Sequence, residues 1–404
     1  MPAYYRRVWG VLLLGWLSLY MVRVGMSPLL APVMKEFQLS YAQAGLLSSA
    51  VFWAYTAMQL PSGFLGDRWG HRRFLLVGTL CWTVLSLLTS LAGSFMALLA
   101  VRFFTGMAEG TYFGNDRPLV SHYTPPEKKA LGQGISALGM GLGMGLGILC
   151  AGWIAELWGW RWVFVLYAAP SLLAFVLIRR VIREPEAAVH TGPAPAARYS
   201  QVLTSPLLWM LYLSHFTVMY LFWVLGTWAP TIFLELGAPG VGGSGLYASV
   251  LGLVSVPALL ISGAVSDRLR RRPRGPFLPL VLSSLVMALL SLVMGLGLAA
   301  HISYQWFAVL LLINGAAAWS YFPPFYALLA DSVPPRIMGT TYGAANTAGF
   351  MASLVAPWVA GLLRDLSAGF ASGFYLCAGV VLVGALCCLL AARLPAPVEA
   401  ARGA

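Results

Sequence analysis

Apolar runs of about twenty residues, separated by short polar or Gly/Pro-rich segments, follow one another along the whole chain. A helix needs about 20 apolar residues to cross roughly 30 Å of hydrocarbon, and twelve runs of this length can be counted. They lie near 8–32, 43–65, 74–92, 96–120, 131–155, 162–180, 205–234, 245–265, 278–298, 305–330, 337–363 and 372–392. The pattern predicts an all-α membrane protein with twelve transmembrane helices.

The scarcity of charge agrees with a lipid environment. Only 9% of the residues are charged, whereas a soluble domain has about 25%. The formal charge of +12 is spread over short basic runs between the apolar runs, which is typical of topology signals and not of a nucleic-acid face. The five cysteines lie in apolar runs without histidines at metal-ligand spacing. We therefore expect a lipid bilayer as partner, no nucleic acid, no metal and no cofactor.

The basic residues also predict the orientation of the chain. Cytoplasmic loops retain lysine and arginine. With the N-terminus inside, 19 of the 25 basic residues fall in cytoplasmic segments, three in outer loops (Lys35, Arg161, Arg364) and three within spans. Both termini are thus expected in the cytoplasm of a bacterial inner-membrane protein. No cleavage site follows the first apolar run, so we expect it to be retained as a span.

The chain divides into two similar halves. A polar linker at 181–204 separates a first bundle of six spans, 1–180, from a second at 205–393, with a tail at 394–404. The loop Gly66–Arg73 after span 2 is echoed by Ser266–Pro273 after span 8. Internal duplication of this kind is a property of transporter folds, and a monomer of two pseudo-symmetric six-helix bundles is expected.

The segment Gly63–Arg73, with its Gly-Asp-Arg core, resembles the signature loop of the major facilitator superfamily. Together with the twelve spans the resemblance covers the whole chain, and it implies transport by alternating access. It also implies a conformational latch, because a carboxylate can cap a helix N-terminus and pair with arginines. The expected latch residues are Asp67, Arg68 and Arg72, with Asp267 and Arg268 in the second half; alternatively, the basic residues only fix topology.

A narrower resemblance, to the anion:cation symporter family, rests on the first half and one motif of the second. The matching residues are Arg23, the stretch Ser48–Gln59, Arg102-x3-Gly106-x2-Glu109-Gly110, Asn115-x-Arg117 and Gly343-x2-Asn346. It implies a carrier of sugar acids or other organic anions, coupled to protons. Many members have an acidic residue directly before the span 1 arginine, and this chain has Val22. The proton stoichiometry, and coupling itself, are therefore open.

Charged residues inside the spans mark a candidate substrate site. A mid-membrane charge costs roughly 2.5–3.5 kcal/mol, and Arg23 lies about 22 Å along the first helix, counted from Val8 at 1.5 Å per residue. A guanidinium is suited to bidentate binding of a carboxylate. We expect Arg23 to bind the anionic substrate; the alternative is a structural ion pair with Glu109, and the same arginine could alternate between both.

Other roles follow from this arrangement. Burial favours a neutral carboxyl group and a nearby arginine favours a charged one, so Glu109 is the expected site of the coupling proton. Tyr55 and Gln59 are expected beside Arg23, whereas Arg102 is expected to brace helix packing. The further substrate-binding candidates of the second half are neutral: Asn346, which the resemblance supports, and Asn314, Trp319, Tyr321, His215 and Tyr220.

Proton symport of a small organic anion is the leading functional hypothesis. The alternatives are an exporter of drug-like or metallophore compounds and an uncoupled facilitator. A membrane enzyme has little support, because the spans contain no nucleophile–base pair, and no catalytic residue is expected.

Overall fold

The computed structural model describes residues 4–125, 128–184, 202–269, 275–333, 338–367 and 369–394. These residues form long helices joined by short turns. The helices in the first half of the chain are α1 Tyr4–Val24, a 3-10 turn Ser27–Leu29, α2 Leu30–Phe37, α3 Tyr41–Trp69, α4 His71–Ser90, α5 Phe95–Tyr123, α6 Lys129–Trp158 and α7 Trp160–Val181. Those of the second half are α8 Pro206–Glu235, α9 Gly240–Leu253, α10 Ser255–Leu269, α11 Phe277–Ala299, α12 Tyr304–Ser332, α13 Met338–Ser367 and α14 Ala371–Ala391.

The twelve predicted spans are confirmed. Ten helical segments in the described part of the chain are long and apolar enough to cross a membrane, and α1 with α2 and α9 with α10 each make one of them. The two further spans are α3 and α5, of 29 residues each. These two carry more polar residues than the others, among them Arg102 and Glu109 on α5. Both spans contribute residues to the candidate site, together with α1.

The distribution of side chains on α11 shows that the surroundings are apolar. Leu282, Leu289 and Leu296 are 52%, 61% and 55% exposed. Ser284 and Ser291, on the opposite face, are fully buried. A helix of a soluble protein buries its leucines and exposes its serines. The reversal on α11 agrees with a multi-pass membrane protein whose outer surface contacts lipid.

The helices form two compact units, and each repeats the same packing. Unit 1 comprises residues 1–189 and 226–253, and unit 2 comprises 190–225 and 254–404. In unit 1, α3 packs on α5, and α4 packs on α5 and α7. In unit 2, α10 packs on α12, and α11 packs on α12 and α14. Spans 2, 3, 4 and 6 thus correspond to spans 8, 9, 10 and 12, as the duplicated sequence predicts. Most of the linker 181–204 and almost all of the tail 394–404 lie outside the described residues, and the domain boundaries stay a prediction.

Two spans are interrupted. Span 1 breaks between Val24 and Leu30. Gly25 precedes the 3-10 turn at this break, and Pro28 lies within the turn. Span 8 breaks at Val254, between α9 and α10. The sequence runs 8–32 and 245–265 suggested continuous helices. The break in span 1 is signalled by the Gly25-x2-Pro28 spacing, since proline lacks the amide hydrogen that a continuing helix needs.

Glycines on α5 bring α3 close to it. A Cβ atom at Gly106 would collide with the backbone carbonyl of Val51, and one at Gly110 would lie 2.7 Å from the carbonyl oxygen of Tyr55. Only glycine allows backbones to approach this closely. The approach positions α3, and with it Tyr55, beside the buried charges of α5.

Glycines spaced two residues apart on α6 allow two other helices to pack closely against it. Gly143 and Gly147 lie against α1, where a Cβ would come within 2.8 Å of Tyr20 Cβ and of Met21 Cα respectively. Gly145 faces another direction, toward Leu253 on α9. These glycines are therefore contact points between helices.

Candidate functional site

A buried ion pair joins two helices of unit 1. Arg23 Nε lies 2.7 Å from Glu109 Oε2, and the two side chains are 1% and 0% exposed. Arg23 comes from α1 and Glu109 from the middle of α5. Buried charges are costly unless they are paired, so this contact explains how both residues are tolerated away from water. The ion pair considered as the alternative to a substrate clamp is present.

The pair leaves part of the guanidinium unused. Arg23 Nη1 and Nη2, and Glu109 Oε1, have no hydrogen-bond partner among the described residues. Arginine has five N–H donors in a planar fork, and the two terminal nitrogens are those that bind a carboxylate in parallel. The geometry therefore leaves two parallel donors of Arg23 available to a carboxylate.

Aromatic rings surround the Arg23 guanidinium. Its central carbon lies 4.2 Å from the ring centroid of Tyr55, 5.0 Å from that of Tyr20 and 5.5 Å from that of Phe52. Cation–π contacts of this kind are stronger when water is excluded. Tyr55, predicted at the site, is brought there by the close contact of α3 with α5. Gln59, also predicted there, is buried one turn further along α3.

Tyr20 and Phe52 were not among the residues predicted to line the site. Tyr20 precedes Arg23 by three positions on one helix face, which is a spacing that brings side chains together. Phe52 precedes Tyr55 by the same spacing. The periodicity of α1 and α3 could have identified both residues, once Arg23 and Tyr55 were chosen.

Arg102 has the structural role expected of it. Its Nη1 and Nη2 donate hydrogen bonds to the backbone carbonyls of Val22 and Arg23, at 3.2 and 2.9 Å. These carbonyls belong to the last turn of α1, where helix carbonyls lack internal partners and a positive charge is favourable. Arg102 thus stabilises the break in span 1 and holds the backbone that carries Arg23.

The three charges give the site a net positive charge. Arg23 and Arg102 each carry one positive charge, and Glu109 carries one negative charge when ionised. All three residues are at most 3% exposed. Together the three side chains carry a single positive charge. A site with this charge in a low-dielectric interior attracts anions.

A second buried carboxylate, Asp116, is occupied by structural contacts. Trp16 Nε1 donates to its Oδ2 at 2.7 Å, and Ser136 Oγ donates to the same atom at 3.3 Å. Arg117 Nε lies 3.5 Å from its Oδ1. These contacts join α1, α5 and α6. Glu109 is therefore the carboxylate that faces Arg23, and Asp116 braces the helices two turns away.

The signature loop is held by a residue outside the motif. Glu184, just after α7, accepts hydrogen bonds from the backbone amide of Arg72 at 3.1 and 3.3 Å. Arg72 Nη2 donates to the carbonyl of Arg179 at 2.7 Å. Gly70, with φ of +99°, leaves room for the Glu184 carboxylate. Arg68 and Arg268 are exposed. The side chains of Asp67 and Asp267 lie outside the described part, so their latch role stays a prediction.

The substrate-binding candidates of unit 2 contact different partners. Asn314 Nδ2 donates to Ser291 Oγ at 3.4 Å and so contacts α11. Tyr321 Oη donates to Ser214 Oγ at 2.9 Å, and its ring stacks with His215. Trp319 packs edge-on against Phe222.

Asn346 is buried on α13. Its use as a substrate contact stays a prediction, like that of the other three residues. Within the described ranges, no cluster of three His, Cys, Asp or Glu residues has the arrangement of a metal site.

Comparisons with known proteins agree on one family. Residues 12–357 and 279–404 match the model of the Major Facilitator Superfamily. The chain is 25% identical to a D-galactonate transporter of Escherichia coli, over 92% of this chain and 91% of that protein. It is 26% identical to a voltage-gated purine nucleotide uniporter of Homo sapiens, over 94% and 90%.

A solved structure shows the same fold. The bacterial homologue of the human lysosomal transporter Spinster superposes with a TM-score of 0.79, at 19% identity, over 97% of this chain and 98% of that one. The family model covers most of the chain, and the twelve spans and repeated packing agree with it. The chain belongs to the Major Facilitator Superfamily, whose fold is that of membrane transporters.

Proposed function

We propose that this protein is a secondary active transporter that carries a small organic anion, a carboxylate or sugar acid, by proton symport with alternating access. The observation that carries the proposal is Arg23, whose two terminal nitrogens have no hydrogen-bond partner among the described residues although the side chain is buried. Such donors are costly to bury unless a ligand satisfies them. A carboxylate has the matching planar geometry.

Glu109 supplies the coupling in this proposal. When the substrate carboxylate binds to Arg23, it competes with Glu109 for the same guanidinium. A buried carboxylate that loses its counter-charge is favoured in its protonated form. Binding of the anion therefore promotes uptake of a proton by Glu109, and release of the anion returns Arg23 to Glu109 and expels the proton.

The names of relatives support an anionic substrate. The D-galactonate transporter and the purine nucleotide uniporter are both named for negatively charged solutes. The proposal extends that class to this chain, and places the protein in a bacterial inner membrane with both termini in the cytoplasm.

A second candidate function, uncoupled transport of the anion, is favoured by one observation. The residue before Arg23 is Val22, a buried apolar side chain, and one relative is named as a uniporter. If Glu109 never releases Arg23, an anion on the terminal nitrogens crosses alone, driven by voltage.

Uptake into proteoliposomes tests the proposal. The purified chain is reconstituted and offered a panel of sugar acids, monocarboxylates and aromatic acids, with matched uncharged sugars and organic cations. Uptake of at least one acid, lost in Arg23→Ala and retained in the exposed control Arg6→Ala, is expected. Uptake of a cation that survives Arg23→Ala would instead support the exporter hypothesis.

A further inference from the structure

The charges buried at the candidate site restrict how much charge one transport cycle can move. Arg23, Arg102 and Glu109 sum to a single positive charge in the empty site. The other fully buried charge in the described spans, Asp116, is paired with Arg117. The titratable groups that face Glu109 are Arg23 and Tyr20 on α1, Tyr55 on α3 and Arg102 on α5 itself.

We infer that transport is electroneutral, with one proton and one singly charged anion moving together; this inference rests on the proposed function. In the loaded site Glu109 is protonated, the two arginines contribute two positive charges and the anion contributes one negative charge. The sum is again one positive charge. The loaded and the empty protein therefore present the same charge to the membrane interior, and neither form has an additional desolvation cost when the site changes sides.

Other stoichiometries do not preserve this balance. A singly charged anion without a proton changes the sum to zero, and so does a doubly charged anion with one proton. Either case moves one elementary charge in each cycle. A membrane potential of 100 mV would then change the equilibrium accumulation ratio about 50-fold, from roughly 2.3 kcal/mol per charge. The electroneutral cycle predicts no such dependence.

Separate control of voltage and pH tests this inference. Proteoliposomes with the full chain are loaded with potassium, and valinomycin sets a potential of either sign while the pH is equal on both sides. D-Galactonate is the singly charged probe and D-glucarate the doubly charged one. A pH gradient, alkaline inside, is expected to accumulate D-galactonate, whereas the potential alone is expected to change its accumulation by less than about twofold.

The outcomes separate this inference from the proposed function. Accumulation of D-galactonate that follows the potential, about 50-fold per 100 mV, contradicts electroneutral transport and leaves an anion carrier in place. Equal pH-driven accumulation of D-glucarate and D-galactonate also contradicts the single-charge restriction. If no carboxylate of the panel enters under any gradient, the proposed function fails and this inference fails with it.

An independent observation concerns the end of unit 1 opposite the Gly66–Arg73 loop. Glu156, near the end of α6, accepts a hydrogen bond from the backbone amide of Gly242 at 2.6 Å. Gly242 lies in the first turn of α9. A Cβ atom on Gly240 or Gly242 would lie 2.8 or 2.6 Å from the carboxylate. The two glycines therefore make the space that the carboxylate occupies, and a carboxylate at a helix N-terminus is electrostatically favourable.

Two further contacts join first-half helices to the segment 226–253 within this unit. Tyr41 Oη donates to Glu235 Oε1 at 2.7 Å, and Ser27 Oγ donates to the carbonyl of Thr227 at 2.8 Å. Tyr41 and Gly242 lie at the N-terminal ends of α3 and α9, and Glu156 lies near the C-terminal end of α6. Because successive spans alternate in direction, these three positions are at the same side of the membrane. We propose that the Glu156–Gly242 contact is a conformational latch, which holds this end closed and breaks when the transporter opens there.

Cysteine labelling tests the latch. Ser249→Cys places a thiol on α9 at a position that is 1% exposed, in a background where the exposed Cys81 is changed to serine. Glu156→Gln is expected to raise its labelling rate by a membrane-impermeant maleimide about threefold to tenfold, the change expected when a partly buried carboxylate–helix contact is lost. Glu36→Gln is the matched control, because Glu36 pairs with Arg161 and not with segment 226–253.

A second variant changes the other residue of the contact, Gly242, so that the test does not depend on Glu156→Gln alone. Gly242→Ala places a methyl group against the carboxylate and is expected to raise the labelling rate as Glu156→Gln does. The double variant is expected to add little, since both changes break one contact. A labelling rate in Glu156→Gln equal to that of Glu36→Gln, or additive effects in the double variant, would contradict the latch.

Discussion

Arg23 Nε lies 2.7 Å from Glu109 Oε2, while both terminal nitrogens of the same guanidinium have no hydrogen-bond partner in the described part of the chain. One face of the arginine is thus used by the protein and the other is available. An ion pair that served packing alone would be expected to satisfy more of its buried donors. The arrangement suits an arginine that exchanges between a carboxylate of the protein and a carboxylate of the substrate.

Replacement of Arg23 is expected to reduce transport strongly, even when the positive charge is retained. Arg23→Lys keeps one ammonium group, which cannot contact Glu109 and also offer two parallel donors. Loss of one partner of a buried charged contact costs about 2–5 kcal/mol, so initial uptake of the substrate anion is expected to fall at least about 30-fold. Uptake in Arg23→Lys close to that of the parent would show that bidentate binding is not needed.

Glu109→Gln is expected to separate binding from coupling. The amide cannot exchange a proton and competes more weakly for the guanidinium. A pH gradient is therefore expected not to accumulate the anion, while equilibrium binding of the anion becomes tighter, by about threefold to tenfold for the loss of a charged competitor. Accumulation against a gradient in this variant, with an imposed pH difference, would contradict a proton role for Glu109.

Arg102 is expected to affect stability more than specificity. Arg102→Met removes both hydrogen bonds to the last turn of α1 and leaves the Val22 and Arg23 carbonyls buried without these donors. We expect a loss of about 2–4 kcal/mol in unfolding free energy, measured by thermal unfolding in detergent. The double variant Arg23→Met with Glu109→Gln serves as the comparison, because it removes the substrate-binding guanidinium without leaving a buried carboxylate unpaired. It should reduce transport more strongly than stability. If Arg102→Met reduced transport more strongly than stability, Arg102 would instead be placed at the substrate.

Gly106 is expected to be intolerant of a methyl group. A Cβ atom there would collide with the Val51 backbone, which cannot move as a flexible side chain can. Gly106→Ala is expected to destabilise the protein by about 1–3 kcal/mol. Gly379→Ala on α14 is the matched control, because no described atom lies within 4 Å of the added group. Equal melting temperatures for the two variants would contradict the close packing of α3 on α5.

The sequence alone predicts much of this architecture. The twelve spans, the repeat and the three buried charges Arg23, Arg102 and Glu109 follow from the contrast between apolar runs and isolated polar residues. The ion pair of Arg23 with Glu109 could be named as an alternative, because few buried partners exist for either charge.

Partners that depend on tertiary packing could not be predicted. The carbonyls bound by Arg102 become available only because span 1 breaks after Val24. Glu184 reaches the Arg72 amide only because α7 ends beside the start of α4, and Glu156 reaches α9 only through a space left by glycines. Such contacts join residues that are far apart in the chain, and no local periodicity records them.

The central claim is that the substrate carboxylate binds to the terminal nitrogens of Arg23. A structure of the protein with a transported anion bound tests it most directly. We expect the carboxylate within hydrogen-bond distance of Arg23 Nη1 and Nη2, with the Glu109 carboxyl group displaced from Nε or protonated. An anion bound elsewhere, with the Arg23–Glu109 pair unchanged and both terminal nitrogens facing protein, would contradict the account.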